Sequence, residues 1–352
     1  MIIMAKINLF DLEPENVVGS LSSQKIFLYG VNSVGKTKVA SKLPKALLMM
    51  CEPGGNGVKC LKVRVDKWSI FKDFVNQLTS EKLVVDPNDE NIKIPQWELM
   101  QRKIQTVVID TVDELVGYAE TATCQEYGVT DLSEITGKIN GYSIYRKDFK
   151  KQINRLCSYG YTCVFIGHEE RVTITDELTG KEYEFIQPKG SSNVKASTRF
   201  IRDICDFCIY LKPNGIDSAG NTILSTGISK QTKQVFARSR YDMQTLIEPF
   251  TAKNLEEAIL KAIEKTAEEE DSEINEWKRD SSGYDKHDWL ELIKPYFAAI
   301  GKRYPEKLQE IVVTEIGEGR KLSDLPEEDL VPLENIFNKL VTFACDRNIV
   351  VD

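Results

Sequence analysis

The chain has 352 residues, of which 41% are hydrophobic and 28% are charged, and its formal net charge is −8. This length exceeds the usual size of a single hydrophobic core, so we expect two domains. No apolar run approaches the roughly 20 residues that a bilayer-spanning helix needs, so no membrane association is expected. The first residues lack the order of a signal peptide and the eight cysteines are scattered, which favours a cytoplasmic protein with reduced thiols.

The first motif along the chain is a phosphate-binding loop. It matches the pattern G-x-x-x-x-G-K-[ST] with Gly30, Val31, Asn32, Ser33, Val34, Gly35, Lys36 and Thr37. A predicted strand precedes the loop and a helix-compatible segment follows it, which is the context that such a loop requires. Backbone N–H groups converge on the phosphates, while Lys36 reaches the β- and γ-phosphates and Thr37 holds Mg²⁺. The motif predicts binding of ATP and Mg²⁺, with Lys38 also in the site.

A carboxylate follows the next predicted strand, Ala46–Cys51. Ligands of open α/β sheets bind at the carboxyl edge of the strands, and Glu52 comes directly after this one. A carboxylate at that edge can deprotonate the attacking water. We favour this catalytic role for Glu52, and the alternative is a surface side chain before a Pro-Gly turn.

Two later predicted strands also lead into polar side chains. The strand Gln105–Asp110 ends in a carboxylate, the pattern of a Walker B strand whose Asp orders Mg²⁺. The strand Thr162–Gly167 leads into His168, which can contact the γ-phosphate and report its presence to the following loop. A histidine that caps a strand end through the backbone is the alternative for His168.

Basic residues follow His168 in a long polar segment, Glu169–Ser197. Within this segment, Asp176–Lys181 suggests a small hairpin, and we predict that Gln187–Lys195 is mobile. The basic residues suited to contacting DNA phosphates are Lys189, Lys195, Arg199 and Arg202. A solvated loop would carry similar charges. Further on, Arg238 and Arg240 at a strand end can supply an arginine finger to a nucleotide, in cis or across a subunit interface. A structural salt bridge is the equal alternative for this pair.

Strand and helix patterns alternate through about residue 262, which predicts an α/β domain with a mostly parallel sheet. The clearest helix is Ile144–Cys157, and Asn254–Lys265 is predicted to close the domain. From Thr251 onward the chain has 14 basic and 24 acidic residues, a net charge of −10, which leaves +2 for the first 250 residues. Overall charge therefore gives no support for DNA binding, although a local basic patch would suffice.

Taken in chain order, the phosphate-binding loop and the strands leading to Glu52, Asp110 and His168 resemble the core of RecA-like recombination ATPases. In that family the Glu is the catalytic base, His168 matches a polar sensor, and the loop after it contacts single-stranded DNA. The resemblance puts these DNA contacts at Glu169–Lys195 and near Tyr127–Asn140. Several stretches look closest to a phage-encoded branch of AAA-family ATPases linked to single-strand annealing, namely Met50–Gly55, Val107–Thr111, Ile166–Glu169, Thr198–Asp203 and Ala237–Tyr241.

Composition and helical spacing predict an acidic linker at 263–284 and a small helical C-terminal module at 285–352. The resemblance covers about residues 20–262 and implies a RecA-like P-loop NTPase core, which we place at residues 1–262. It also implies DNA-stimulated ATP hydrolysis, single-stranded DNA as a ligand and a homo-oligomer. The acidic module is expected to bind a protein partner or to shield the DNA surface. Two other interpretations are a small-molecule kinase, which lacks support from an Arg-rich lid motif, and a nucleotide-gated scaffold or loader with little turnover.

Overall fold

A computed structural model of the chain describes residues 16–54, 57–136, 140–177, 179–193, 195–275, 277, 286–325, 331–347 and 349. Its strands are β1 (Val17–Val18), β2 (Lys25–Gly30), β3 (Ala46–Met50), β4 (Leu61–Arg64), β5 (Leu83–Asp86), β6 (Asp89–Pro95), β7 (Thr106–Asp110), β8 (Thr162–Thr175), β9 (Glu182–Pro188), β10 (Phe207–Lys212), β11 (Thr226–Ile228), β12 (Arg238–Ser239), β13 (Leu246–Ile247) and β14 (Ile274–Asn275). Its α-helices are α1 (Lys36–Ala40), α2 (Trp68–Leu78), α3 (Gln96–Lys103), α4 (Val112–Tyr127), α5 (Gly141–Cys157), α6 (Ser197–Ile204), α7 (Ala252–Glu269), α8 (Lys286–Gly301), α9 (Pro305–Ile316) and α10 (Val331–Asp346).

A mostly parallel sheet forms the centre of the larger part of the molecule, as predicted. Its strand order is β13-β11-β10-β2-β8-β7-β3-β4, and the six strands from β10 to β4 run parallel to one another. The strands β11 and β12 pair antiparallel with β10. The strand β8 lies between β2 and β7, so the strands that carry the phosphate-binding loop and Asp110 are both its direct neighbours.

Helices cover both faces of this sheet. Alternate residues of β2 are buried in two different clusters, because successive strand side chains point to opposite faces. Phe27 and Tyr29 join the cluster with α2, α4 and α5, whereas Ile26 and Leu28 join the cluster with α1 and α7. Burial on both faces explains why the central strands are almost entirely apolar in sequence.

The polar segment after His168 is largely a β-ribbon. The strand β8 continues to Thr175 and pairs antiparallel with β9, from Glu169 opposite Pro188 to Thr175 opposite Glu182. Val172 lies opposite Phe185 on this ribbon, and such apolar cross-strand pairs stabilise it. The predicted hairpin at Asp176–Lys181 is thus present, with the backbone N–H of Asp176 donating to the carbonyl oxygen of Lys181 at 2.9 Å. The strands on either side of it were not predicted, because their polar composition suggested a loop.

The chain divides into two compact units. Among the described residues, one unit contains those between 16 and 80 and between 96 and 277 and holds the central sheet, and the other contains 81–95 and the helices α8, α9 and α10. The helix α7 continues past residue 262 to Glu269, and Ile263 and Ala267 are buried. The predicted domain boundaries themselves stay predictions, and the predicted start of the C-terminal module, Asp285, lies outside the described residues.

The helices α8, α9 and α10 share their own apolar cluster. Phe337 lies at its centre, with ring centroids 5.7 Å from Trp289 and 5.4 Å from Tyr296. In the described part of the chain, no helix is both long and apolar enough to cross a membrane.

Candidate functional site

A cleft of about 520 Å³ opens at the carboxyl edge of the parallel strands. It brings together residues from the P-loop, from the ends of β3 and β7 and from β8. We call it the P-loop cleft, and the residues that line it are Asn32, Ser33, Val34, Gly35, Lys36, Thr37, Lys38, Glu52, Gly57, Val58, Asp110, Thr111 and His168. The predicted convergence of Glu52, Asp110 and His168 on the phosphate-binding loop is thus present in the fold.

The loop between β2 and α1 needs glycine at both of its ends. Gly30 has φ +153°, and a Cβ atom there would lie 2.7 Å from the carbonyl oxygen of Leu211. Gly35, which precedes α1, has φ +102°, a conformation that side-chain-bearing residues rarely adopt. The loop can therefore turn its backbone N–H groups toward an anion at the start of α1.

Lys36 is buried at the base of this loop. Its Nζ donates hydrogen bonds to the carbonyl oxygens of Gly30 and Val31, both at 2.8 Å. Burial lowers the pKa of Lys36, while the charges of Asp110 and Glu52 act in the opposite direction. An anion in the cleft would stabilise the ammonium, so the side chain suits a phosphate ligand.

Thr37 and Asp110 form the oxygen donor pair expected of a magnesium site. Thr37 Oγ1 donates a hydrogen bond of 2.6 Å to Asp110 Oδ2. Burial raises the pKa of Asp110, whereas the Thr37 hydrogen bond and the charge of Lys36 lower it. Among the described residues, no group of three or more His, Cys, Asp and Glu side chains could hold a metal. Two protein oxygens are nevertheless enough for Mg²⁺, because this ion usually keeps several waters and takes further oxygen ligands from the phosphates of the substrate.

Glu52 comes two residues after the end of β3. This strand pairs with β7, which ends in Asp110, on the side of β7 that faces away from the P-loop strand β2. The backbone before Glu52 is held in place, because the Tyr118 hydroxyl donates to the carbonyl oxygen of Cys51 at 2.7 Å. Burial raises the pKa of Glu52, and the neighbouring charge of Asp110 raises it further. A carboxylate with a raised pKa accepts a proton more readily than an ordinary surface glutamate does.

His168 is oriented by a carboxylate that was not predicted from the sequence. Asp113 Oδ2 lies 3.1 Å from the backbone nitrogen of His168 and 2.9 Å from its Nδ1. A carboxylate only accepts hydrogen bonds, so Nδ1 carries a proton and the imidazole has its other nitrogen, Nε2, for a second partner. The only sequence signal for Asp113 was its place three residues after Asp110, in the first turn of a helix.

The four predicted DNA-binding residues have different environments. Lys189 and Lys195 are exposed, whereas Arg199 binds the Ser191 carbonyl oxygen at 3.2 Å and faces Asp203. Arg202 is 5% exposed, pairs with Asp203 at 2.8 Å and stacks over the Phe236 ring. Of the four residues, Arg202 is therefore the least suited to contact DNA, since its guanidinium is already buried and paired.

Arg238 and Arg240 lie at the opposite edge of the sheet from the P-loop cleft. Arg238 is in β12, opposite Cys208 near the start of β10, and its guanidinium binds the carbonyl oxygen of Asp203 at 3.0 Å. Arg240 faces the buried carboxylate of Asp206 at 3.4 Å. The structure therefore does not bring these arginines to the P-loop cleft of the same chain, and the ion pair of Arg240 matches the structural salt bridge that was the alternative.

A basic helix face was also missed. In α5, Lys147, Lys150 and Lys151 are exposed, and none of the three forms an ion pair with any residue that the structure describes. Arg146 in the same helix donates to the carbonyl oxygen of Lys195 at 3.2 Å, which joins this face to a predicted DNA-binding residue. The signal was present in the sequence, as clustered lysines in the predicted helix Ile144–Cys157.

Comparison with known proteins gives two matches. The family model described as "AAA domain" matches residues 22–241, more than half of the chain. A protein of Bacillus subtilis (strain 168), described as "SPbeta prophage-derived uncharacterized protein YorG", is 28% identical over 342 residues, which cover 95% of this chain and 98% of the relative. The matched family segment begins before the P-loop and ends just after Arg240, so it includes every residue of the P-loop cleft.

Proposed function

Because the chain belongs to the AAA domain family, we propose that it is an ATP-hydrolysing protein that binds single-stranded DNA in phage recombination, annealing or replication. The family indicates a nucleotide-binding P-loop ATPase, and the prophage relative supports a phage protein that acts in the cytoplasm of the bacterial host. The observation that carries the ATPase part is the presence of Lys36, Thr37, Asp110 and Glu52 in one cleft.

Each of these residues has a role that follows from its position. Thr37 and Asp110 would hold Mg²⁺, which supplies charge neutralisation for phosphoryl transfer when it is bound. Lys36 binds phosphate oxygens from the loop side. Glu52 takes a proton from the attacking water, and His168, held by Asp113, contacts the terminal phosphate.

The RecA-like part of the proposal is supported by the strand order. Because β8 lies between β2 and β7, His168 lies between the P-loop and Asp110 at the sheet edge. The backbone N–H of Lys189 donates to the carbonyl oxygen of His168 at 2.9 Å. A movement of His168 in response to the terminal phosphate would therefore be transmitted to Lys189 through this hydrogen bond.

We assign the DNA surface to Lys189, Lys195 and the α5 lysines rather than to the β8–β9 ribbon. Over residues 169–189, six acidic residues outnumber three basic ones, which would repel a polyanion. Exposed lysines without ion-pair partners can neutralise phosphates and release counterions. The position of Arg238 and Arg240 favours a role across a subunit interface in a homo-oligomer, and the acidic C-terminal module remains our candidate for binding a partner protein.

The test is ATP hydrolysis by the full chain, measured with and without single-stranded DNA over a range of salt concentrations. Glu52→Gln should abolish hydrolysis while ATP binding is retained, and Glu126→Gln, an exposed change in α4, should alter neither. If Glu52→Gln left turnover unchanged, Glu52 would not be the base. A wild-type chain that binds ATP with negligible turnover would favour the nucleotide-gated scaffold.

A second experiment tests the proposed DNA surface by measuring the affinity of the full chain for single-stranded DNA over a range of salt concentrations. Replacing Lys147 and Lys151 with Glu should weaken DNA binding. The salt dependence should also become weaker. The slope of the logarithm of the binding constant against the logarithm of the salt concentration should fall in magnitude by roughly 0.7 for each DNA phosphate that the variant no longer neutralises. Lys253→Glu on α7, at the other face of the sheet, is the matched control. Equal DNA affinity and salt slope in the double variant, the control and the wild type would exclude α5 as the DNA surface.

A further inference from the structure

Thr111 has a hydroxyl group with no partner in the wall of the P-loop cleft. The residue is 1% exposed, and its Oγ1 has no hydrogen-bond partner among the described residues. It follows Asp110 directly and precedes the first residue of α4. Burial of an unsatisfied polar group is unfavourable, so a hydroxyl in this state requires an explanation.

The usual explanation, a helix cap, does not apply. Thr111 is the N-cap of α4, where a threonine hydroxyl ordinarily accepts a hydrogen bond from a backbone N–H of the first turn. No such bond forms from Thr111, whereas Thr251, the N-cap of α7, accepts one from the backbone N–H of Asn254 at 3.1 Å. The Thr111 side chain is therefore available for another purpose.

The surrounding groups indicate which part of a ligand would reach this hydroxyl. Thr37 and Asp110 are the residues that would hold Mg²⁺, which would neutralise phosphate charge beside them. Thr111 adjoins Asp110 in the cleft wall that also includes Glu52 and His168, the two groups expected around the terminal phosphate. A hydroxyl at this place can donate a hydrogen bond to a phosphate oxygen.

We propose that Thr111 Oγ1 donates a hydrogen bond to the terminal phosphate of the bound nucleoside triphosphate and so distinguishes the triphosphate from the diphosphate. The inference rests on the proposed nucleotide binding at the P-loop. Because the interaction needs the γ-phosphate, it should be absent with ADP.

The experiment measures the affinity of the full chain for Mg²⁺–adenylyl imidodiphosphate and for Mg²⁺–ADP by titration calorimetry, together with the melting temperature of the nucleotide-free protein. The variants are Thr111→Val, which removes the hydroxyl and keeps the shape, and Thr111→Ser, which keeps the hydroxyl. Thr106→Val is the matched control. Thr106 is the first residue of β7, whereas Thr111 follows the last one. Like Thr111, Thr106 is 1% exposed and has a buried hydroxyl without a partner among the described residues.

Thr111→Val should weaken binding of the triphosphate analogue about tenfold, the effect of removing one hydrogen bond to a charged group, and should leave ADP affinity unchanged. Its melting temperature without nucleotide should equal or exceed that of the wild type, since no satisfied hydrogen bond is removed. Thr111→Ser should keep most of the analogue affinity. Thr106→Val should match the wild type with both nucleotides.

Three results would overturn the inference. The first is wild-type affinity of Thr111→Val for the analogue, which would mean that the hydroxyl makes no hydrogen bond to the nucleotide. The second is equal weakening for the analogue and ADP, and the third is a lowered melting temperature, since both indicate a structural role. A wild-type chain that binds neither nucleotide would instead contradict the proposed function itself.

Discussion

At the scale of single residues, the Asp113–His168 pair is the interaction that most affects how the cleft can act. One carboxylate oxygen accepts from both the backbone and the ring nitrogen of His168. The backbone bond fixes where strand β8 enters the cleft, and the side-chain bond fixes the orientation of the ring. Asp113 is therefore a positioning residue for the group that is proposed to contact the terminal phosphate.

Replacing Asp113 with Asn should lower kcat for ATP hydrolysis by about tenfold, because an amide binds the ring more weakly than a carboxylate does. KM for ATP should change little, since the loop residues that bind the other phosphates are untouched. Glu114→Gln, in the same helical turn, is the control for removal of a carboxylate. A parallel fall in melting temperature and kcat, with an altered KM, would indicate that Asp113 acts only in folding.

The pH dependence of hydrolysis follows from the environment of Glu52. A general base must be deprotonated, and burial together with the charge of Asp110 raises the pKa of Glu52. Activity should therefore fall, as pH decreases, through a midpoint above the ordinary glutamate pKa of about 4.3. A profile of kcat/KM against pH tests this. An acid limb at or below that ordinary value would exclude Glu52 as the base.

At the scale of elements, Glu170 connects the β8–β9 ribbon to the turn that carries Lys189. Its carboxylate accepts hydrogen bonds from the backbone N–H of Gly190 at 2.9 Å, from the Ser192 hydroxyl at 2.6 Å and from Gln187 at 2.8 Å. Burial alone would raise the pKa of Glu170, but these hydrogen bonds lower it below its usual range. The turn is thus organised around a single charged side chain.

Glu170→Ala should release this turn without unfolding the sheet. The backbone amides of Gly190 and Ser192 should exchange with deuterium at least about tenfold faster, because their hydrogen bonds to a charged group are removed. The measurement is hydrogen–deuterium exchange read by mass spectrometry. Glu184→Ala on the same ribbon, whose carboxylate only pairs with exposed Arg171, is the control. Unchanged exchange of the Gly190 and Ser192 amides would show that the turn is held by other interactions.

At the scale of the whole molecule, the chain has two compact units with separate apolar cores. The sheet unit is stabilised by the clusters on the two faces of β2, and the helices α8–α10 are stabilised by a cluster around Phe337. A ligand that binds only the P-loop cleft stabilises only the unit that contains it. The two units should therefore respond independently to a nucleotide and to a mutation.

Calorimetry of the full chain should show two unfolding transitions. Phe337→Ala should destabilise one of them by roughly 3–5 kcal/mol, the usual result of removing a buried aromatic ring. Saturation with the triphosphate analogue at 100 times its Kd should stabilise the other by about 2.7 kcal/mol. Lys339→Ala, an exposed change in the same helix, is the control. One transition that moved with both perturbations would mean that the units unfold together.

Much of the sheet and of the P-loop cleft was predictable because the signals are local. The strands β3 and β7 were each predicted within about a residue, since buried parallel strands are short, continuous apolar runs. Only the hairpin turn of the ribbon was predicted, because two exposed strands with many charged side chains resemble a loop in sequence. The true environments of Arg202 and Asp113 were missed too, because each depends on a partner from another element.

By itself, the sequence determined that Gly30–Thr37 forms a phosphate-binding loop and that carboxylates follow two buried strands, since these properties belong to contiguous residues. Only the tertiary structure decided which strand ends meet. The order β2-β8-β7-β3 puts His168 beside the P-loop strand and Asp113 beside His168, while strand direction carries Arg238 to the other edge. Strand order comes from the packing of distant segments, which no local pattern specifies, and it also leaves the Thr111 hydroxyl without a partner among the described residues that form the cleft.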